Sequence, residues 1–297
     1  MDPTPRPTGA AGDAATAGPA VELDGVCLRF GRVEALHDVT LTVPRGASVA
    51  VIGPNGSGKS TLLGVLSGLL HPQEGTVRVL GTTVPRARAR IAHVLQSTQV
   101  RAEVPLTVRE AVRMGTYATL GLVGRGGAAV RDRVDAALDR LGIADLADRQ
   151  LPELSGGQRQ RVFVAQGLVQ EADLLLLDEP VAGLDPPTQE VIARVVRDER
   201  AAGRTVVTTT HDVGAAATND LVLLLSTEVV AYGPPQEVLV PELLGRGFGG
   251  HLHVLEDGTM VLDDPAHHGA VVGHRTRADW HGTEDASAAD PGTTRKP

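Results

Sequence analysis

Gly53-Pro54-Asn55-Gly56-Ser57-Gly58-Lys59-Ser60, followed by Thr61, matches in full the spacing G-x-x-x-x-G-K-[ST]. Glycines in such a run let successive backbone N–H groups curl round phosphate oxygens, and a following helix start adds its partial positive charge. Lys59 is then expected to reach the β- and γ-phosphates of a nucleotide, and Ser60 to offer a hydroxyl to Mg²⁺. A glycine-rich turn that merely caps a helix is the alternative, and the lysine-serine pair after the last glycine speaks against it. Of the 28 basic residues only Lys59 and Lys296 are lysine. In an arginine-biased chain, a slim ammonium at position 59 reads as a chemical requirement, because a planar guanidinium does not fit between phosphate oxygens in the same way.

A second constellation lies further along. Leu174-Leu175-Leu176-Leu177 shows no alternation, as expected of a central parallel strand buried on both faces, and it ends in Asp178-Glu179-Pro180. Ligands of such sheets bind beyond the carboxyl ends of the strands. Asp178 is placed to contact Mg²⁺ or its waters, and Glu179 to orient and polarise a water attacking the γ-phosphate. Phe30, in a chain poor in aromatics, can stack on a nucleobase or serve as a core phenylalanine, and both readings stand.

These residues need a scaffold, and the pattern supplies one. Val39 to Val43 alternates as a strand does, and Ser48 to Ile52 is an apolar run ending in the glycine-rich turn, with a helix over Leu62 to Leu70. Thr107-Val108-Arg109-Glu110 has capping-box spacing, and Val130, Val134, Leu138 and Leu141 recur at helical intervals before Gly142. Strands at 173–177, 205–210 and 221–226 alternate with a helix beginning near Pro186, the rhythm of a parallel sheet with crossover helices. The expected fold is α/β, with an antiparallel region near the N-terminus and an inserted helical region at about 97–165.

Composition narrows the function. The 297 residues, 42% hydrophobic, suffice for one sizeable α/β domain or two small ones, and one is the simpler reading. A net charge of -8 without long like-charge runs gives no basic face for a phosphate backbone, so no nucleic-acid partner is expected. Cys27 is the single cysteine, which excludes an internal disulfide framework. The apolar runs are strand-length, far short of the roughly 20 residues that span a bilayer. The first residues lack the basic-then-apolar order of a secretory signal. Residues 1–19 and 264–297 lack an apolar period and read as disordered tails.

Leu154-Ser155-Gly156-Gly157-Gln158 carries the strongest resemblance. With the phosphate loop and the carboxylate pair, it is similar to the signature of the ATP-binding subunits of ATP-binding-cassette (ABC) transporters, over nearly all of residues 21–247. Ser155 and Gln158 also have the spacing of an ordinary helix cap. The resemblance implies a phosphate-loop NTPase (RecA-like) core within a domain at 20–248. It implies Mg²⁺-dependent ATP hydrolysis, with Ser155, Gly156, Gly157 and Gln158 closing over the ATP held by a second subunit in a head-to-tail homodimer. Gln96 looks like the glutamine that touches Mg²⁺ and senses the membrane partner. His211 resembles the histidine that contacts the γ-phosphate, and Asp185 belongs to the loop that crosses the dimer interface, although it is also a good helix N-cap. Gln166-Gly167 departs from the usual arginine-alanine and touches local packing.

The wider implications are transmembrane permease partners, an extracytoplasmic solute-binding protein acting through the permease, and a peripheral location on the cytoplasmic face of the membrane. Val104 to Gly115 and the wording around Gly183 look like the zinc- and manganese-type importers. Siderophore import, export, or a soluble cassette ATPase acting on ribosomes or DNA are the rival readings; the last usually has two cassettes or a long coiled coil, and neither is present. Six of the ten histidines follow residue 250, including His251, His253, His267 and His268, and read either as imidazole ligands for a metal or as a solvated tail. Residues 249–263 can instead form a hairpin turning at Asp257-Gly258.

Overall fold

The computed structural model describes residues 18–96, 105–120, 127–249, 252–254 and 260–262. The expectations for residues 1–17, 97–104 and 264–297, for the Asp257-Gly258 turn and for His251, His267 and His268 fall outside them. In chain order the strands are β1 (Val21–Phe30), β2 (Val33–Val43), β3 (Ser48–Ile52), β4 (Glu74–Val79), β5 (Thr82–Thr83) and β6 (Ile91–Val94). They continue with β7 (Leu174–Leu177), β8 (Thr205–Thr209), β9 (Leu221–Ser226), β10 (Glu228–Gly233), β11 (Leu252–Val254) and β12 (Met260–Leu262).

A six-stranded sheet in the order β10-β9-β3-β8-β7-β6 forms the centre. Its inner pairs are parallel, and β10 is added antiparallel to β9 at one edge. Every residue of β3 and β7 is buried, which explains their unbroken apolar sequences. Alternate side chains still enter different layers. Val51, Leu174, Leu176 and Val207 pack with Leu62 and Leu63 of the helix Lys59–Ser67 and with the separate antiparallel sheet β2-β1-β4-β5. Leu175, Leu177 and Val206 face the opposite way, against Val162 and Ala165 of the helix Gly156–Leu168 and Ile192 of the helix Pro186–Ala201. Each such apolar side chain stabilises the fold by about 1.5–3 kcal/mol through removal from water.

The N-terminal antiparallel strands therefore form their own sheet, one layer away from the parallel one, whereas the antiparallel edge of the central sheet comes from β10. The β9–β10 hairpin turns tightly at Thr227, whose φ is 59°. The helical region includes Val108–Met114, Tyr117–Leu120 and Gly127–Arg140. Thr107 caps the first of these with the complete capping box that its spacing announces. β11 and β12 pair antiparallel, Leu252 opposite Leu262. Gly167 lies where an added Cβ would come 2.8 Å from Val94 Cγ2, so an alanine there would require the Val94 side chain or its surroundings to shift.

Candidate active site

All the parallel strands of the central sheet point their carboxyl ends at one edge, and the chemistry-bearing residues follow those ends. After β3 the chain turns at Gly53, with φ 153°, where a Cβ would sit 2.0 Å from the Leu225 carbonyl oxygen. At Gly58, φ 98°, a Cβ would sit 2.3 Å from the Ala35 carbonyl oxygen. Glycine is thus demanded at both positions by backbone conformation and by packing. Gly58 is also the N-cap of the helix Lys59–Ser67 and supplies no side-chain cap, so no side chain competes for the first-turn N–H groups.

Lys59 Nζ donates to the carbonyl oxygens of Gly53 at 2.8 Å and Pro54 at 3.0 Å, and the side chain is buried. The ammonium is thereby held within the curl of its own loop. Ser60 is exposed, Thr61 is half-buried, and the buried Ser57 Oγ has no hydrogen-bond partner among the described residues. An orphaned hydroxyl beside uncapped helix amides and an ammonium is the donor set that a phosphate would satisfy.

β7 ends in the carboxylate pair. Leu177 stands beside Thr208 in the parallel register, and the next residues along, Asp178 and Thr209, meet through their side chains. Thr209 Oγ1 donates to Asp178 Oδ1 at 2.7 Å and accepts from the Glu179 N–H at 2.8 Å. Asp178 N–H donates to the Val94 carbonyl at 2.9 Å, which anchors this turn to β6. Glu179 adopts φ 45°, left-handed for a residue with a side chain. Gln96, two residues past β6, donates from Nε2 to Glu179 Oε2 at 2.8 Å. His211 is exposed just beyond β8, where Thr210 N–H bonds the Val51 carbonyl and ties this end to the phosphate-loop strand.

Asp178 offers a carboxylate past β7, Ser60 an exposed hydroxyl in the first turn of the helix Lys59–Ser67, and Gln96 an amide oxygen past β6, donor types that suit a hard ion such as Mg²⁺. Among the described residues there is no group of three His, Cys, Asp or Glu that could hold a metal by itself. Phe30 is 52% exposed at the end of β1, so its reading as a core residue is set aside.

Ser155 caps the helix Gly156–Leu168, accepting from Gln158 N–H, while Gln158 Oε1 accepts from Ser155 N–H. Ser155 and Gly156 are exposed, and a Cβ on Gly157 would meet Asp185 Oδ1 and Thr188 Oγ1, each at 3.4 Å. Asp185 in turn caps the helix Pro186–Ala201 by accepting from Thr188 N–H, and the Thr188 hydrogen bonds hold its carboxyl below the usual range. Two groups therefore exist in one chain: the strand-end cluster of Gly53, Lys59, Asp178, Glu179, Gln96 and His211, part buried and part exposed, and the signature-like helix start beside Asp185. Sequence reasoning missed Thr209. Its signal was a hydroxyl run, Thr208-Thr209-Thr210, at the carboxyl end of the strand Thr205–Thr209.

Residues 36–182 match the ABC transporter family. The chain is 40% identical over 234 residues to the zinc transport system ATP-binding protein TroB of Treponema pallidum, covering 78% of this chain and 88% of the relative. It is 38% identical over 242 residues to the manganese transport system ATP-binding protein MntB of Bacillus subtilis, covering 81% and 97%. Among solved structures, a dimeric ATP-binding cassette in a post-hydrolysis state with ADP and phosphate aligns with a TM-score of 0.65 at 29% identity, over 72% of this chain and 98% of that one.

Proposed function

Because the chain belongs to the ABC transporter family, as an ATP-binding subunit that hydrolyses ATP, we propose that it energises import of a divalent metal ion, zinc or manganese. The observation that carries the choice of cargo is the 40% and 38% identity, over most of both chains, to ATP-binding proteins of zinc and manganese transport systems.

In this reading the work is divided among named residues. The N–H groups of residues 53 and 55–61 cradle the phosphates, and Lys59 neutralises charge on the β- and γ-phosphates once its ammonium exchanges the Gly53 and Pro54 carbonyls for phosphate oxygens. Ser60, Asp178 and Gln96 would hold Mg²⁺, which would supply charge neutralisation for the phosphates. Glu179 takes the proton of the attacking water, with its carboxylate held beside Gln96 past the end of β7, and His211 steadies the γ-phosphate. Phe30 offers its exposed ring to the adenine. Ser155, Gly156, Gly157 and Gln158, with Asp185, face the ATP of a second copy, since their helix start opens to solvent with its own cap satisfied.

A homodimer closing on two ATP molecules would then bias permease subunits between two states, with a solute-binding protein delivering the ion from outside. Residency on the cytoplasmic face as a peripheral subunit follows from that arrangement; no helix among the described residues is long and apolar enough to cross a membrane. The test is to purify the chain with its permease and measure ATP hydrolysis with binding protein loaded by zinc, manganese or neither. Stimulation confined to those metals supports the proposal. Hydrolysis indifferent to them removes the metal assignment and leaves the ATPase.

A further inference from the structure

We propose that Thr209 is a positioning residue for hydrolysis, setting Asp178 and Glu179 in their working geometry through a single hydroxyl. The inference rests on the roles proposed above for those two acids. Thr209 is fully buried at the end of β8, and its Oγ1 makes two bonds: it accepts from Glu179 N–H at 2.8 Å and donates to Asp178 Oδ1 at 2.7 Å. The directions are forced. An amide N–H can only donate, so the hydroxyl's one proton goes to the carboxylate. Asp178 therefore has one oxygen engaged by the protein, which orients the other.

The Glu179 bond has a separate consequence. Glu179 holds φ 45°, a conformation that is strained for a residue with a side chain and persists only where the surroundings enforce it. Its N–H bond to Thr209, with the Gln96 bond to its carboxylate, supplies that enforcement. Since Thr209 lies two residues before His211, the same strand end that would meet the γ-phosphate also holds the carboxylate pair. A displacement at one would be felt at the other.

The purified chain is compared as parent, Thr209→Val, Thr209→Ser and Glu179→Gln. Valine keeps the branched shape of threonine and deletes both bonds; serine keeps the hydroxyl. Each is read by kcat per nucleotide-binding-competent chain, and by affinity for a fluorescent ATP analogue with and without Mg²⁺. Thr209→Val is expected to lose about ten- to hundredfold in kcat and in the gain of nucleotide affinity that Mg²⁺ confers, with Mg²⁺-free affinity within about twofold of the parent. Thr209→Ser is expected to recover most of both. Valine with a kcat and a Mg²⁺ response within about twofold of the parent overturns the proposal, as does serine impaired as deeply as valine. Should the valine chain fail to fold, the serine result decides alone. Turnover retained in Glu179→Gln would instead remove the role of Glu179, and the Mg²⁺-dependent affinity of the valine variant would still report on Asp178.

Discussion

Gln96 Nε2 lies 2.8 Å from Glu179 Oε2, joining a residue two places past β6 to a carboxylate two places past β7. The bond makes Glu179→Gln an informative change, because a glutamine carbonyl can still accept from Gln96 while it cannot take a proton from water. Nucleotide affinity is expected to stay within a few-fold, and phosphate release to fall by about 10²-fold or more. Unchanged steady-state phosphate release would remove the proposed role of Glu179.

Ser155 caps a helix and, in the proposed dimer, faces a phosphate, and one substitution separates the two functions. Aspartate is as good an N-cap as serine, whereas alanine costs about 1 kcal/mol. Thr107 provides a reference capping box away from the site. Ser155→Asp is expected to melt within a degree or two of the parent yet lose at least about tenfold in ATP hydrolysis, because it adds a negative charge opposite a phosphate. Hydrolysis at the parent rate would limit Ser155 to its structural part.

Gly53 is enclosed on the side where a Cβ would project. Gly53→Ala would bring that atom 2.0 Å from the Leu225 carbonyl and 2.7 Å from Ser57 Oγ. Backbone must move, since neither the carbonyl of a buried strand nor the loop can yield cheaply. A loss of about 2–4 kcal/mol is expected in denaturant unfolding, together with lost nucleotide binding. A Gly56→Ala change, with nothing within 4 Å of the added atom but a φ of 79°, is expected to cost less than half as much.

His93 makes stability depend on pH. Its Nδ1 lies 3.0 Å from Ser67 Oγ, which is also 3.1 Å from the Gly64 carbonyl, and the Nδ1–H tautomer lets both contacts be hydrogen bonds. Nε2 is buried with no hydrogen-bond partner among the described residues. Burial holds His93 below its ordinary 6.5, against a smaller opposing pull from Asp178. As pH falls past 6.5, the unfolded chain binds a proton that the folded chain still refuses, so stability present above that pH is progressively lost toward the folded value. Between about pH 7 and pH 5 the melting temperature should fall more steeply in the parent than in His93→Gln. Parallel slopes would show that His93 contributes nothing.

Much of this molecule could be read along one dimension because its signals are local. The spacing of Gly53 to Ser60, the capping boxes at Thr107 and Ser155, and the unbroken Leu174–Leu177 run each report an interaction completed within a few residues. The antiparallel edge strand β10 was not legible, since its pairing with β9 depends on a turn at Thr227 and its residues are only partly buried. Phe30 was ambiguous for a related reason: exposure belongs to a site and not to a residue type.

By itself, then, the chain of letters determined the phosphate loop, the carboxylate pair, the crossover rhythm and the family, because each is a property of neighbours in sequence. Only the tertiary structure decided that Thr209 serves Asp178 and Glu179 together, that Gln96 holds Glu179, and that Gly157 lies against Asp185. Those relations join residues 28–83 positions apart, such as Gly157 with Asp185 and Gln96 with Glu179, and exist only once parallel register has placed their strand and helix ends side by side.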